Sequence, residues 1–393
     1  MSISHPSTAR LDRLLNYIER DAGNMVLRKD AIREAMASGQ RDMARGLIDA
    51  GLQMQNDDAE LLAFSALAYL QAQHYANAEQ VLLEALAVAP DVAELHYNMA
   101  FAQFMQKRYD DALKQLLRPG LVQALPLALT LRARCHFHLQ RPLAAIADCK
   151  ERLGVSPDDA ETRGLVALLL YEQGQADDAM ENVAAALRLA PRQLEAMLTL
   201  ALLQADAQDH DAARSSFESL LQAYPECGRG WLGLGMLKLS RMDIEAARGD
   251  IELAAIHMPE HIGTWHALAW LQIMQGDIAA AGVSFEQAMA LDRNFGETHG
   301  GLAVIAALEG REAEASASIR RALRLNPQGL SAQYAEMLLL KRRGEEGAAK
   351  AVLDAFLAST VPGTGLQYRD LVATHMKSLA LRAADRPDGA TLH

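Results

Sequence analysis

Along this chain apolar residues recur three and four apart in paired runs, separated by a glycine or polar turn such as Gln275-Gly276-Asp277. Runs of that period are too long for strands and too short for one unbroken helix, so they predict helix, turn, helix. Two consecutive pairs stand out, over residues 228–261 and 262–295, each 34 residues long. The first holds Trp231, Leu234, Gly235, Ala247, Ile251, Ala254 and Pro259. The second repeats the set as Trp265, Leu268, Ala269, Ala281, Phe285 and Ala288, with Arg293 in place of the proline.

The same spacing runs through the chain. An alanine opens each predicted second helix at Ala44, Ala78, Ala112, Ala145, Ala179, Ala213, Ala247, Ala281, Ala315 and Ala349, every step being 34 residues except the 33 from Ala112 to Ala145. Two helices can approach closely only where a side chain is small, which is the physical need behind that register. A second small residue recurs in the first helix at Ala66, Ala100, Ala133, Ala167, Ala201, Gly235, Ala269 and Ala303. Proline closes many pairs, at Pro90, Pro157, Pro191, Pro225, Pro259 and Pro327. It lacks an N–H and disfavours helix in the residue before it, so one pair ends and the next begins there.

Three stretches depart from the pattern. Leu11, Leu14, Leu15 and Ile18 form a lone amphipathic stripe closed by Gly23-Asn24, which predicts a helix covering the flank of the first pair. Tyr368, Leu371, Val372, His375, Met376 and Leu379 form another, after Pro362-Gly363-Thr364-Gly365. At Leu117-Arg118-Pro119-Gly120 the proline falls where a second helix should still be running, so that helix is expected to stop early and to absorb the 33-residue step.

The spacing W-x2-L-[GA], then A-x3-[FI] and usually proline, resembles the signature of the tetratricopeptide repeat (TPR) family. The resemblance implies an all-α fold: a right-handed superhelical α-solenoid of about ten TPR helix-turn-helix repeats with terminal capping helices. The expected divisions are a capping helix at 1–24; repeats at 25–58, 59–92, 93–125, 126–159, 160–193, 194–227, 228–261, 262–295, 296–329 and 330–363; a capping helix at 364–383; and a flexible tail at 384–393. In this family the first helices line a concave groove. Carried over, that places Tyr97, Phe101, Phe104, Met105, Leu168, Tyr171, Leu198, Leu202, Leu232, Met236, His266, Trp270, Ile273 and Met274 along the groove, with Glu161, Glu172, Glu195 and Asp206 around it. The family's carboxylate clamp is not matched: Lys29 and Arg33 suit its first repeat, but Ala63, Leu67 and Thr130 break it. Its asparagine ladder is reduced to Asn98.

Composition narrows the setting. Half the residues are hydrophobic but only 5% are aromatic, which suits alanine- and leucine-rich helices. Cys135, Cys149 and Cys227 form no CxxC pair, so a reducing compartment is expected. Met1 to Arg10 hold no apolar signal core and no run of 18 apolar residues occurs, so the reading is cytoplasmic, with no membrane span. The net charge is -12, and residues 151–300 alone carry 10 Lys and Arg against 23 Asp and Glu. An acidic chain is poorly suited to nucleic acid, whose affinity comes largely from cations on phosphates.

No catalytic or cofactor arrangement emerges, so the chain is expected to be noncatalytic, without cofactor or metal. Cys135, His136, His138 and Cys149 point in different directions along helices and read as core. His257, His261 and His266 share no face at i, i+4 spacing. Gly228, Gly230, Gly233 and Gly235 flank Trp231 inside a helix and follow no strand, which argues for close packing over a phosphate loop. Asp158-Asp159 and Asp177-Asp178 sit at helix starts as caps. The expectation is a scaffold or adaptor binding an apolar protein segment with basic residues, or a second copy as a homodimer, in bacterial assembly or secretion. A peptide-responsive regulator and an accessory subunit of an enzyme complex such as a glycosyltransferase are the alternatives.

Overall fold

The computed structural model describes residues 6–359 and Arg369; the helix expected over 364–383 and the tail over 384–393 lie outside the described residues. The described residues form 22 helices and no strand. Contacts divide the chain into two compact units, Met1–Thr199 and Leu200–His393. The fold is that of an all-α superhelical solenoid, built from antiparallel helix pairs.

In the first unit α1 (Pro6–Arg20) precedes the pairs α2 (Met25–Ala37) with α3 (Arg41–Met54), α4 (Ala59–Gln71) with α5 (Tyr75–Val88), and α6 (Ala93–Met105) with α7 (Tyr109–Leu116). A single turn, α8 (Leu121–Ala124), leads to α9 (Ala128–His138) with α10 (Pro142–Val155), then α11 (Ala160–Glu172) with α12 (Ala176–Leu189). The division between units falls inside α13 (Leu194–Asp206), which is followed by α14 (His210–Ala223). The second unit continues with α15 (Gly228–Ser240) and α16 (Ile244–His257), α17 (Ile262–Met274) and α18 (Ile278–Leu291), α19 (Gly296–Leu308) and α20 (Glu312–Leu325), and α21 (Leu330–Arg342) and α22 (Glu346–Ala358).

The small residues sit where helices cross. All ten register alanines are buried, from Ala44 to Ala349, as are the eight small residues of the first helices. Gly235 shows why size matters: a Cβ there would stand 2.6 Å from Ile251 Cγ1. Gly233 is blocked in the same way by the Phe217 ring, at 2.4 Å, so the glycine-rich start of α15 is a packing surface. On α1, Leu11 and Ile18 are buried against Ala31, Ile32, Ala44 and Ile48, which covers the flank of the first pair.

Within each pair the turn is made by one residue with a left-handed backbone: Gly39, Gln73, Lys107, Gln140, Gly174, Gln208, Met242, Gly276, Gly310 and Gly344. The next amide then reaches back five residues, as Gln40 N does to Ala35 O at 2.8 Å and Asp277 N to Gln272 O at 2.9 Å, satisfying carbonyls the helix end would orphan. Second helices are often capped by the aspartate that follows: Asp209, Asp243 and Asp277 accept from Ala212, Ala246 and Ala280 N–H.

A recurring bond ties several first helices to the turn before them. Trp231 Nε1 donates to Pro225 O at 2.7 Å, and Trp265 Nε1 to Pro259 O at 2.8 Å. Arg163 does the same to Pro157 O, and His96 and His299 to Pro90 O and Arg293 O. The irregular junction is real. Helix α7 stops at Leu116, Gly120 has a φ of 80°, and Leu121 fills the space with Leu113, Leu116 and Leu131.

Candidate protein-binding groove

In the first unit a groove of about 770 Å³ opens between α6, α9 and the turn from α10 into α11. One wall is apolar: Tyr97, Phe101 and Phe104 lie on one face of α6, and Leu127 and Leu131 extend it from α9. The spacing of Tyr97, Phe101 and Phe104 puts successive helical turns on the same face. The aromatic surface continues past the groove, where Phe104 meets Tyr109 edge-on at 5.4 Å and Tyr109 stacks on His138 at 4.4 Å. Burial, then the neighbouring Arg134 and Lys107, hold His138 below its ordinary pKa, so it stacks as a neutral ring.

The opposite wall is charged, but most of its charge is already compensated. Arg134 Nη1 stands 2.6 Å from Glu195 Oε1 and its Nη2 3.0 Å from Glu161 Oε1. Burial disfavours the guanidinium charge, yet the two carboxylates outweigh that and raise its pKa. Arg152 Nε pairs with Asp159 Oδ2 at 2.8 Å, while Asp159 also caps α11 through Thr162 N. Thr130 and Thr162 share a hydrogen bond of 2.8 Å beneath the floor. Burial and then Glu161 push the Tyr97 hydroxyl above its ordinary pKa, Arg134 acting against them. Among the described residues, Asp158 has no partner for its carboxylate, and it stands on the rim. The groove thus offers an aromatic floor and one uncommitted negative charge.

The residues placed along a groove by sequence fall into several settings. Tyr97, Phe101 and Phe104 come together here. Leu168 and Leu198, at 4% and 2% exposure, present almost no surface to a partner. Tyr171 is half-buried and Glu172 exposed on α11. In the second unit Leu202 and Ile273 are half-buried, Met236 and Met274 exposed, and His266 and Trp270 line a separate groove. Sequence reasoning missed Leu127, Arg134 and Arg152, and gave Asp158 only a capping role. Their contribution depends on which turns and helices become spatial neighbours, and no local spacing reports that.

A tetratricopeptide repeat family model matches residues 69–135 and 170–237. No curated protein matches the sequence. Among solved structures, the chain is similar to one from the crystal structure of the APC/C hetero-tetramer Cut9-Hcn1, with a TM-score of 0.57 and 14% identity, over 85% of this chain and 66% of that one. It therefore spans just under two thirds of that chain's length. It is similar also to the human IFIT1 dimer with PPP-AAAA, with a TM-score of 0.57 and 15% identity, over 98% of this chain and 96% of that one. At such identities these likenesses concern the fold. With the repeated helix pairs, they support an α-helical solenoid. The matched repeats support a tetratricopeptide repeat protein, and such repeats imply a protein-interaction scaffold.

Proposed function

We propose that this chain is a noncatalytic adaptor, of the kind that serves assembly or secretion, and that it holds a protein segment in the groove of its first unit. The segment carries aromatic or aliphatic side chains together with lysine or arginine. The observation that carries this reading is the pairing of an apolar floor, Tyr97, Phe101 and Phe104, with a rim whose uncommitted charge is Asp158. Apolar burial would supply most of the affinity, and the rim charge would favour basic segments and speed their encounter. Buried aromatic anchors most often dominate such interfaces.

The test uses a partner recovered on the immobilised full chain and re-measured in pure form. Phe101→Ala should weaken that partner by ~2 kcal/mol or more if Phe101 is a hot spot. Full affinity in a folded Phe101→Ala protein rejects the groove. A wild-type dimer that dissociates in the variant would instead assign the groove to a second copy.

A further inference from the structure

A second groove, of about 540 Å³, lies wholly within the second unit, between α17, α19, α21 and α22. Its walls are Trp270, Tyr334, Met337, Leu353 and Phe356. Trp270 is held by Phe285 edge-on at 6.1 Å and leans on Tyr334 at 5.9 Å, while Tyr334 and Leu353 remain 38% and 41% exposed. Apolar surface gathered in a groove and rimmed by polar groups marks a place for docking.

The polar groups decide what kind. Glu297 is the acid of the lining, and its charge is consumed internally. Its Oε1 accepts from Leu330 N and Asn326 Nδ2, both at 3.1 Å, and its Oε2 from Ser331 N at 3.1 Å and Ser331 Oγ at 2.7 Å. His266 is bound through Nε2 to Thr298 Oγ1 at 2.8 Å, and its burial favours the neutral ring. Lys341 remains. Among the described residues its ammonium has no partner, and it stands at the groove edge. This is the reverse of the first unit, where the uncommitted charge is a carboxylate.

We propose that this groove is a second, separate docking site, for a protein segment that carries an aromatic or large aliphatic side chain next to an aspartate or glutamate. The apolar side chain sits against Trp270, Tyr334 and Leu353, and the carboxylate pairs with Lys341. One chain would then hold two segments of opposite charge, one in each unit, which extends the adaptor reading from a single client to a pair. The first groove does not have to function for this site to do so.

Fluorescence anisotropy on the full chain tests it with two short labelled peptides, both bearing leucine and tryptophan at helical spacing, one flanked by glutamates and its twin by lysines. The glutamate peptide should bind, Tyr334→Ala should weaken it about tenfold, and Lys341→Glu should weaken it about fivefold or more, as expected for an exposed ion pair made repulsive. An unaltered affinity in folded Tyr334→Ala and Lys341→Glu proteins overturns the proposal. So does binding that appears only after Leu371→Asp with Met376→Asp, which would make the chain's own C-terminal residues the occupant. A dimer that dissociates in Tyr334→Ala would overturn it in favour of a second copy.

Discussion

Arg134 of α9 reaches across α11 to Glu195 of α13, 61 residues later, with 2.6 Å between Nη1 and Oε1. This ion pair braces the charged wall of the first groove, and it leaves the wall's remaining negative charge on Asp158. Glu195 is 9% exposed as a residue, so removing its cation strands a nearly buried carboxylate. Arg134→Ala should cost ~2 kcal/mol, less than a fully buried pair because the Arg134 side chain is a quarter exposed. A double-mutant cycle with Glu195→Gln, followed by chemical denaturation, measures the coupling. A coupling near zero would show that solvent already screens the pair.

The turn residues offer a gain in stability. Met242 has a φ of 62° and is 54% exposed, so it bears left-handed strain while burying little. Met242→Gly should stabilise the protein by about 0.5–1 kcal/mol, the strain relieved being partly offset by glycine's greater freedom in the unfolded chain. A denaturation midpoint that falls in the variant would contradict this account of the turn.

The register alanines predict the reverse effect. Ala247 has no exposed surface and lies in the cluster with Ile251, Leu268 and Leu271. Ala247→Leu should overpack this pair and cost ~1–3 kcal/mol. In a repeat array that cost should be felt most by adjacent pairs. Hydrogen exchange should therefore accelerate in α15 to α17 well beyond the change in α2 to α5. Uniform acceleration would contradict neighbour-limited coupling.

Stability should also depend on pH in a way set by histidine. His136, His138, His261 and His266 are all pushed below the ordinary value of 6.5, chiefly by burial. The unfolded chain therefore takes up their protons first as pH falls. Their contribution is fully present above about pH 6.5 and is lost as pH drops through and below that value. Asp58, Glu60 and Glu79 have pKa values lowered by their hydrogen-bonding partners despite burial, so their contribution is lost only at lower pH. Thermal unfolding of wild type and His138→Phe between pH 7.5 and about 5 checks this. The variant should show the shallower decline, and equal slopes would exclude His138 as a contributor.

The repeated small residues made the fold legible before any coordinates. Ala112 and Ala145 betray the helix crossings because a larger side chain cannot be accommodated there, and Pro119 marks the early end of α7 because it cannot continue a helix. The turns were less legible. Gly276 announces a left-handed backbone, but Gln73, Lys107 and Met242 adopt it with side chains that give no such signal. The groove was partly legible, since Tyr97, Phe101 and Phe104 repeat at helical spacing along one element. Its charge balance was not. Whether Asp158 or Asp159 remains uncommitted depends on where Arg152 points, and whether Glu297 acts as a charge depends on four donors from the following turn and helix.

The central claim is that the first groove recognises an apolar segment bearing basic residues. It is tested most directly by titrating the full chain with the lysine-flanked peptide and its glutamate twin, on wild type and on Asp158→Lys and Phe101→Ala. Wild type should prefer the lysine peptide in this groove, and more so at low salt. Asp158→Lys should abolish or invert that preference, and Phe101→Ala should weaken the lysine peptide by ~2 kcal/mol. Lysine-peptide affinity unchanged in both folded variants would contradict the account.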